Sequence, residues 1–388
     1  MIAHDKQLLQ DLALLDEANS LQNAGFISKE QKDLIKKQLP DFKRHKNILV
    51  RLGFFLLGSF LYGSICGAIS IVGMAGEQYY FQICCYIFAA VGFAAAEFLA
   101  SQKFYGHGLD DAFILGSILN IGLAIGISTD GYELIIAVFM AIAAFVMYRR
   151  YLHLPSLLVF CVAFAAVLFY GLFEFGPIGK TILPFVAMLF AAGFYFFTKK
   201  TMERLTESYY YNGLLLANSF CLILFYLSCN YLVVRELSIM LLGNEILPGT
   251  DIPFAYFFYA FTLIVPILYL IQALKTKDRI MLWISFLAIA FSIYTIRFYY
   301  SVLPIEVALT FGGLVLFAIA YFSIKNLKEK ESGLTFKPDR INNSNNLLNA
   351  EALIVASAFG MKPQVKPESS PMEFGGGGFS GGGSDGSF

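Results

Sequence analysis

Between residues 48 and 324 the sequence is a succession of apolar runs, each about as long as a bilayer is thick. A membrane-spanning helix needs about 20 mostly apolar residues. In lipid, every backbone N–H and C=O must find its partner inside the protein, which restricts such segments to helices or closed barrels. Ten runs meet the helical length: 48–73, 79–99, 111–128, 131–148, 154–173, 178–198, 209–233, 254–274, 279–297 and 304–324. The third is the weakest, being short and carrying Asn120 at mid-depth. The chain is 57% hydrophobic and only 14% charged, too few charges for the hydrophilic shell of a soluble globule of 388 residues. The expected fold is therefore all-α, a polytopic transmembrane bundle of about ten helices.

Cationic side chains set the expected orientation, because loops rich in Lys and Arg stay in the cytoplasm. Lys43, Arg44, Lys46 and Arg51 precede or open the first run. The even-numbered connections hold Lys103; Arg149 and Arg150; Lys199, Lys200 and Arg204; and Lys275, Lys277 and Arg279. Lys325, Lys328 and Lys330 follow the last run. The odd-numbered connections hold only Lys180 and Arg235, with Arg297 at one edge. This alternation places both termini in the cytoplasm. Net charge is zero, which excludes the basic field that nucleic-acid binding needs. The six cysteines all fall in apolar runs with no CxxC spacing, and read as packing residues. No cleavable signal peptide is expected, since a charged segment of almost fifty residues precedes the first run.

Inside the bundle, GSICG (Gly63, Gly67) and GLAIG (Gly122, Gly126) have the GxxxG spacing that lets helix backbones approach, and AAVGFAAAEF offers another small face. Asp130-Gly131 marks a tight turn between the third and fourth runs. Pro266, near the middle of the eighth run, predicts a bend.

The ends read as separate units. Residues 1–47 predict a cytoplasmic helical hairpin. Leu8, Leu12, Leu15 and Ala18 recur at helical spacing, Gly25 can end that helix, and Ser28–Gln31 is a capping box with Ile27 as its staple. Its halves are opposite in charge: residues 4–25 carry three Asp and one Glu against Lys6, and 28–46 carry seven cations against three acids. The two helices can pack together, or the basic one can lie on anionic headgroups. Residues 325–374 read as a cytoplasmic linker holding a short docking helix at 350–359, capped by Asn349 and ended by Gly360. Residues 375–388 form a glycine-rich tail expected to stay disordered alone, and not a dinucleotide loop, since neither a strand nor a helix flanks its glycines. Phe374, Phe379 and Phe388 are its only adhesive groups. The tail is either inert or held by a protein partner.

The tail sequence FGGGGFSGGGSDGSF resembles the glycine-aromatic-serine ends of several bacterial membrane-anchored families, among them proteins with the TPM phosphatase-like domain and some multipass proteins of unknown function. The front end, AGFISKEQ leading into LVRLGFFLLGSFLYG, is similar to a class of bacterial multipass proteins in which a short cytoplasmic helical domain precedes a run of transmembrane helices. The likeness covers residues 5–75 and the last fifteen, and the TPM domain itself is lacking. It implies a bacterial inner membrane and carries over no catalytic residue.

Chemistry has few places to reside. Glu97, His107, Asp110, Asp111 and His153 all fall at the cytoplasmic ends of runs. If those ends converge, they could form a metal or acid–base site. Otherwise they are separate interfacial residues, the acids favoured by helix N-termini. Arg297 and Glu306 flank one outer hairpin and could pair, and Glu133, Glu174 and Arg235 lie near other outer ends. Asn120 and Asn218 read as interhelical hydrogen bonds. No nucleotide, metal or other cofactor motif is present, and the bilayer is the expected partner. Three functions fit: a non-enzymatic sensor, regulator or assembly factor acting through its cytoplasmic ends; a secondary transporter built from two halves; or a membrane enzyme on lipid or glycan using the His107, Asp110 and Asp111 cluster.

Overall fold

The structure, a computed structural model, describes residues 2–299 except 24–25, 46, 73–79, 206, 243–250 and 277, together with Thr310, Leu314, Phe317, Tyr321 and Lys325. Among the described residues there is no strand, and twelve helices follow one another: α1 (Lys6–Asn23), α2 (Lys29–Gln38), α3 (Ile48–Val72), α4 (Tyr80–Ser101), α5 (Leu109–Ser128), α6 (Glu133–Tyr151), α7 (Leu154–Phe173), α8 (Gly176–Glu203), α9 (Tyr211–Ser228), α10 (Tyr231–Leu242), α11 (Ala255–Thr276) and α12 (Arg279–Tyr299). Nine of these, α3 to α9 with α11 and α12, are long and apolar enough to cross a membrane. The tenth expected span, 304–324, lies outside the described residues apart from four scattered helical positions. So do the 350–359 helix, the glycine tail and Glu306. The chain has the fold of an all-α multipass bundle.

Consecutive spans pair as α4 with α5, α6 with α7, α8 with α9 and α11 with α12, while α3 leans on α5. The connections are tight for identifiable reasons. Asp130 (φ 50°) and Gly131 (φ 81°) both adopt the left-handed conformation, which reverses the chain between α5 and α6. Leu152 (φ 53°) does the same after α6. His153 then caps α7, its side chain accepting the Ser156 backbone N–H, with a proline in the first turn where no N–H is needed.

Small residues sort by neighbour. A Cβ at Gly92 would meet Tyr62 Oη and the Phe113 carbonyl, and one at Gly122 would strike Met140. At Gly126 it would only touch Ile136, at 3.5 Å. These glycines let α4 pack on α5 and α5 on α6, as their spacing predicts. Gly63 and Gly67 differ: no described atom lies within 4 Å of a Cβ built there. Their helix, α3, is the least buried of the nine spans among the described residues. Asn120 donates to Tyr62 Oη (3.0 Å), and Asn218 accepts from Thr198 (3.2 Å), the interhelical bonds expected of them.

The seventh expected span, 209–233, is not one helix. It runs as α9 to Ser228, breaks at Cys229 and Asn230, and restarts as α10. Asn230 is fully buried. Its Oδ1 accepts the backbone N–H of Leu232 (3.0 Å) at the start of α10, and its Nδ2 donates to Tyr226 Oη (2.9 Å). Tyr226 Oη also meets Ser292 Oγ (2.7 Å), and Thr262 Oγ1 accepts the Tyr231 N–H (2.9 Å). The polar groups freed by the break are thus met from α9, α11 and α12.

Residues 2–13, 40–45 and 47 belong with the bundle. Leu14–Leu39 forms a second compact unit of its own. In that unit Leu15, Ala18, Leu21, Ile27, Ile35 and Leu39 make one buried cluster. The predicted capping box is present: Ser28 Oγ accepts the Gln31 N–H (3.2 Å), and Gln31 Oε1 accepts the Ser28 N–H (2.7 Å).

Candidate functional site

The end of the bundle that carries residues 2–13, termed the N-side, brings together the C-termini of α4 and α6 with the N-termini of α3, α5 and α7. The chain on either flank of the small unit is pinned there. The Ala3 N–H donates to the Arg150 carbonyl (2.8 Å), and the Lys43 N–H donates to the Lys103 carbonyl (2.9 Å). Leu8, Leu9, Leu12 and Phe42 pack with Leu152 in one buried cluster.

All five candidate residues lie at this end, in three separate arrangements. Asp110 serves the loop before α5: its carboxylate accepts the backbone N–H groups of Gly106 (2.7 Å), His107 (3.0 Å) and Gly108 (2.9 Å). Gly108 is obligatory there, since φ is +109° and a Cβ would overlap the Arg51 carbonyl oxygen. Asp111, 5% exposed, is gripped from two sides. Arg51 donates through both Nε and Nη2, the latter at 2.8 Å, and His153 Nε2 lies 3.0 Å from Oδ1. Because His153 Nδ1 accepts the Ser156 N–H, Nε2 carries the proton that Asp111 receives. Glu97 sits apart, held by both Nε and Nη2 of Arg150 and by Tyr151 Oη (2.6 Å).

His107 pairs with His45, their Nε2 atoms 3.1 Å apart. His45 stacks on Phe54 at 4.7 Å, and Phe104 meets His107 edge-on at 4.8 Å. Burial, and then the neighbouring His45, pushes the His107 pKa below its usual value; Asp110 and Asp111 oppose the shift. His4 is buried edge-on against Phe42 (5.5 Å) and Tyr105 (5.2 Å), and its Nδ1 has no hydrogen-bond partner among the described residues. Burial lowers its pKa to about 4, against the pull of Asp110 and Glu97.

So the structure joins Asp111 to His153, sets Asp110 and His107 beside them with other partners, and gives Glu97 a pair of its own. Among the described residues no three His, Cys, Asp or Glu are arranged to hold a metal ion. The decisive partners, Arg51, Arg150, Tyr151, His45 and His4, escaped the sequence reading as site residues. Arg51 and Arg150 stood out only as orientation charges, and nothing in their local sequence names an acid 60 or 53 positions away. On the far side, Glu174 accepts from Tyr132, and Arg235 donates to Tyr231 Oη (2.6 Å), which in turn donates to Asp251 (2.7 Å).

Set against known proteins, the chain matches no family model, no curated protein and no solved structure.

Proposed function

We propose that this chain is a non-enzymatic protein of a bacterial inner membrane, a sensor, regulator or assembly factor that works through cytoplasmic ends, with both termini inside. In this reading it belongs to the class of multipass proteins that its front end and tail resemble. The observation that carries the proposal is the pinning of the chain on both flanks of the small Leu14–Leu39 unit. Ala3 is bonded to the last turn of α6, and Lys43 to the α4–α5 connection. A shift of those helix ends has to move one or both attachment points of the unit. The carboxylates that an enzyme would use at this end are occupied by fixed cations and backbone N–H groups.

Affinity capture from membranes tests the reading. Deleting residues 361–388, or replacing Leu14–Leu39 by a flexible linker, should change the set of recovered partners. Identical sets from the full chain and both variants would reject it.

One observation favours the second reading, a secondary transporter. The α9–α10 break has buried polar groups around it, and discontinuous helices of this kind line substrate paths. A single cysteine at Ser292, in a background without the native six, tests it. Labelling by an impermeant thiol reagent from both membrane faces supports transport, and protection from both rejects it.

A further inference from the structure

On the far side, a cavity of about 370 Å³ opens between α8, α9, α10 and the start of α11. Its walls are mostly apolar, with Leu183 and Ala187 of α8, Leu224 of α9, Val234 of α10 and Phe258 of α11 among them, interrupted by three hydroxyl side chains. Lys180 stands seven residues before Ala187 on the same helix, so the cavity runs about 10 Å along α8 from its cation inward. The Lys180 ammonium donates to the Leu241 carbonyl (3.0 Å) in the last turn of α10, and lies 6.0 Å from the Phe173 ring. Neither is a counter-ion. No carboxylate pairs with Lys180 among the described residues, in contrast to Arg51 and Arg150 on the N-side.

An ammonium with no carboxylate beside it among the described residues, at the mouth of a greasy cleft, defines what fits. An inorganic anion would leave the walls bare, and a neutral hydrocarbon would leave the charge unmet. The volume lies at the small end of ligand pockets, about 300–1,000 Å³, enough for one short chain.

We propose that this cavity binds a single-chain anionic amphiphile of the fatty-acid class, with its carboxylate on Lys180 and its chain along Leu183, Ala187, Leu224 and Phe258. The discontinuity after Ser228 belongs to the same site, because α9 and α10 contribute wall residues on either side of it. The inference is independent of the proposed action through the cytoplasmic ends; either can fail alone.

The test uses the full chain in phosphatidylcholine nanodiscs, with radiolabelled decanoate and decanol as probes. The wild type should bind decanoate saturably and decanol weakly. Lys180→Gln should weaken decanoate by about tenfold or more, as expected when a charge-assisted bond is lost, and leave decanol unchanged. Lys180→Arg should keep most of the affinity. Ala187→Phe, which fills the cleft, should abolish saturable decanoate binding; if that variant melts early, the Lys180 pair decides alone. Equal decanoate affinity for wild type and Lys180→Gln would overturn the proposal. So would displacement of decanoate by phosphatidylglycerol as effectively as by unlabelled decanoate, which would make the occupant a two-chain lipid.

Discussion

Asp111 is the residue on which most of the N-side geometry converges. Removing its charge leaves Arg51 without its bidentate acceptor and His153 with a weaker one, and a broken buried pair costs more than the intact pair contributes. Asp111→Asn should therefore lower stability by about 3 kcal/mol, the low end for such pairs, because the Arg51 side chain keeps 36% of its surface exposed. A detergent-solubilised melt checks it, and an unchanged midpoint would reject the role. His4 gives a pH test. Its folded pKa of about 4 lies below its ordinary 6.5, so the unfolded chain binds the proton more readily. Stability from this group is full above pH 6.5 and falls as pH drops towards 4, by up to about 3 kcal/mol. His4→Leu should flatten that part of the pH–melting curve, and a slope unchanged from wild type would contradict the assignment. The sequence could not have shown either effect. Both depend on groups brought together across long stretches of chain, and local pattern carries no record of such pairing.

Elements were more legible where a short-range rule governs them. The capping box at Ser28, the reversal at Asp130-Gly131 and the packing of Gly122 all depend on residues within a few positions or on one helix face, and each forms as its sequence predicts. The α9–α10 break did not stand out, although Asn230 just ahead of a helical stretch is an N-cap signal. The surrounding apolar run outweighs it on any average over twenty residues. Gly63 and Gly67 meet no neighbour among the described residues: spacing says that a backbone can be approached, not which segment approaches it. The break also makes a prediction. Asn230→Ala removes the cap of α10 and the donor to Tyr226 together. A lost cap costs about 1–2 kcal/mol, while Tyr226 Oη keeps Ser292 and the Ala288 carbonyl as partners. A loss of about 1–2 kcal/mol should appear as a lower melting midpoint, with Asn230→Ser, which keeps a neutral cap acceptor, losing less. Equal losses for the two variants would mean that capping contributes nothing there.

At the scale of the whole molecule, the charge pattern and the helix ends make one argument. Arg51, Lys103, Arg149 and Arg150 lie at the N-side in the structure, on the ends of α3, α4 and α6. Lys180 and Arg235 lie at the other end, and each is tucked against a carbonyl or a tyrosine. The far side is thus poor in cations, and two of those it has, Lys180 and Arg235, are engaged within the protein. The proposed orientation then fixes two labels in a chain whose six native cysteines have been replaced. Asp130→Cys, in the α5–α6 turn, should react with an impermeant maleimide added to intact cells. Gln102→Cys, at the end of α4, should react only after the cells are opened. The reverse pattern would invert the molecule, move residues 2–13 and 40–45 outside and take with them the proposal of action in the cytoplasm. The fatty-acid cleft would then face inward, with its chemistry untouched, so that topology and ligand binding remain separately testable.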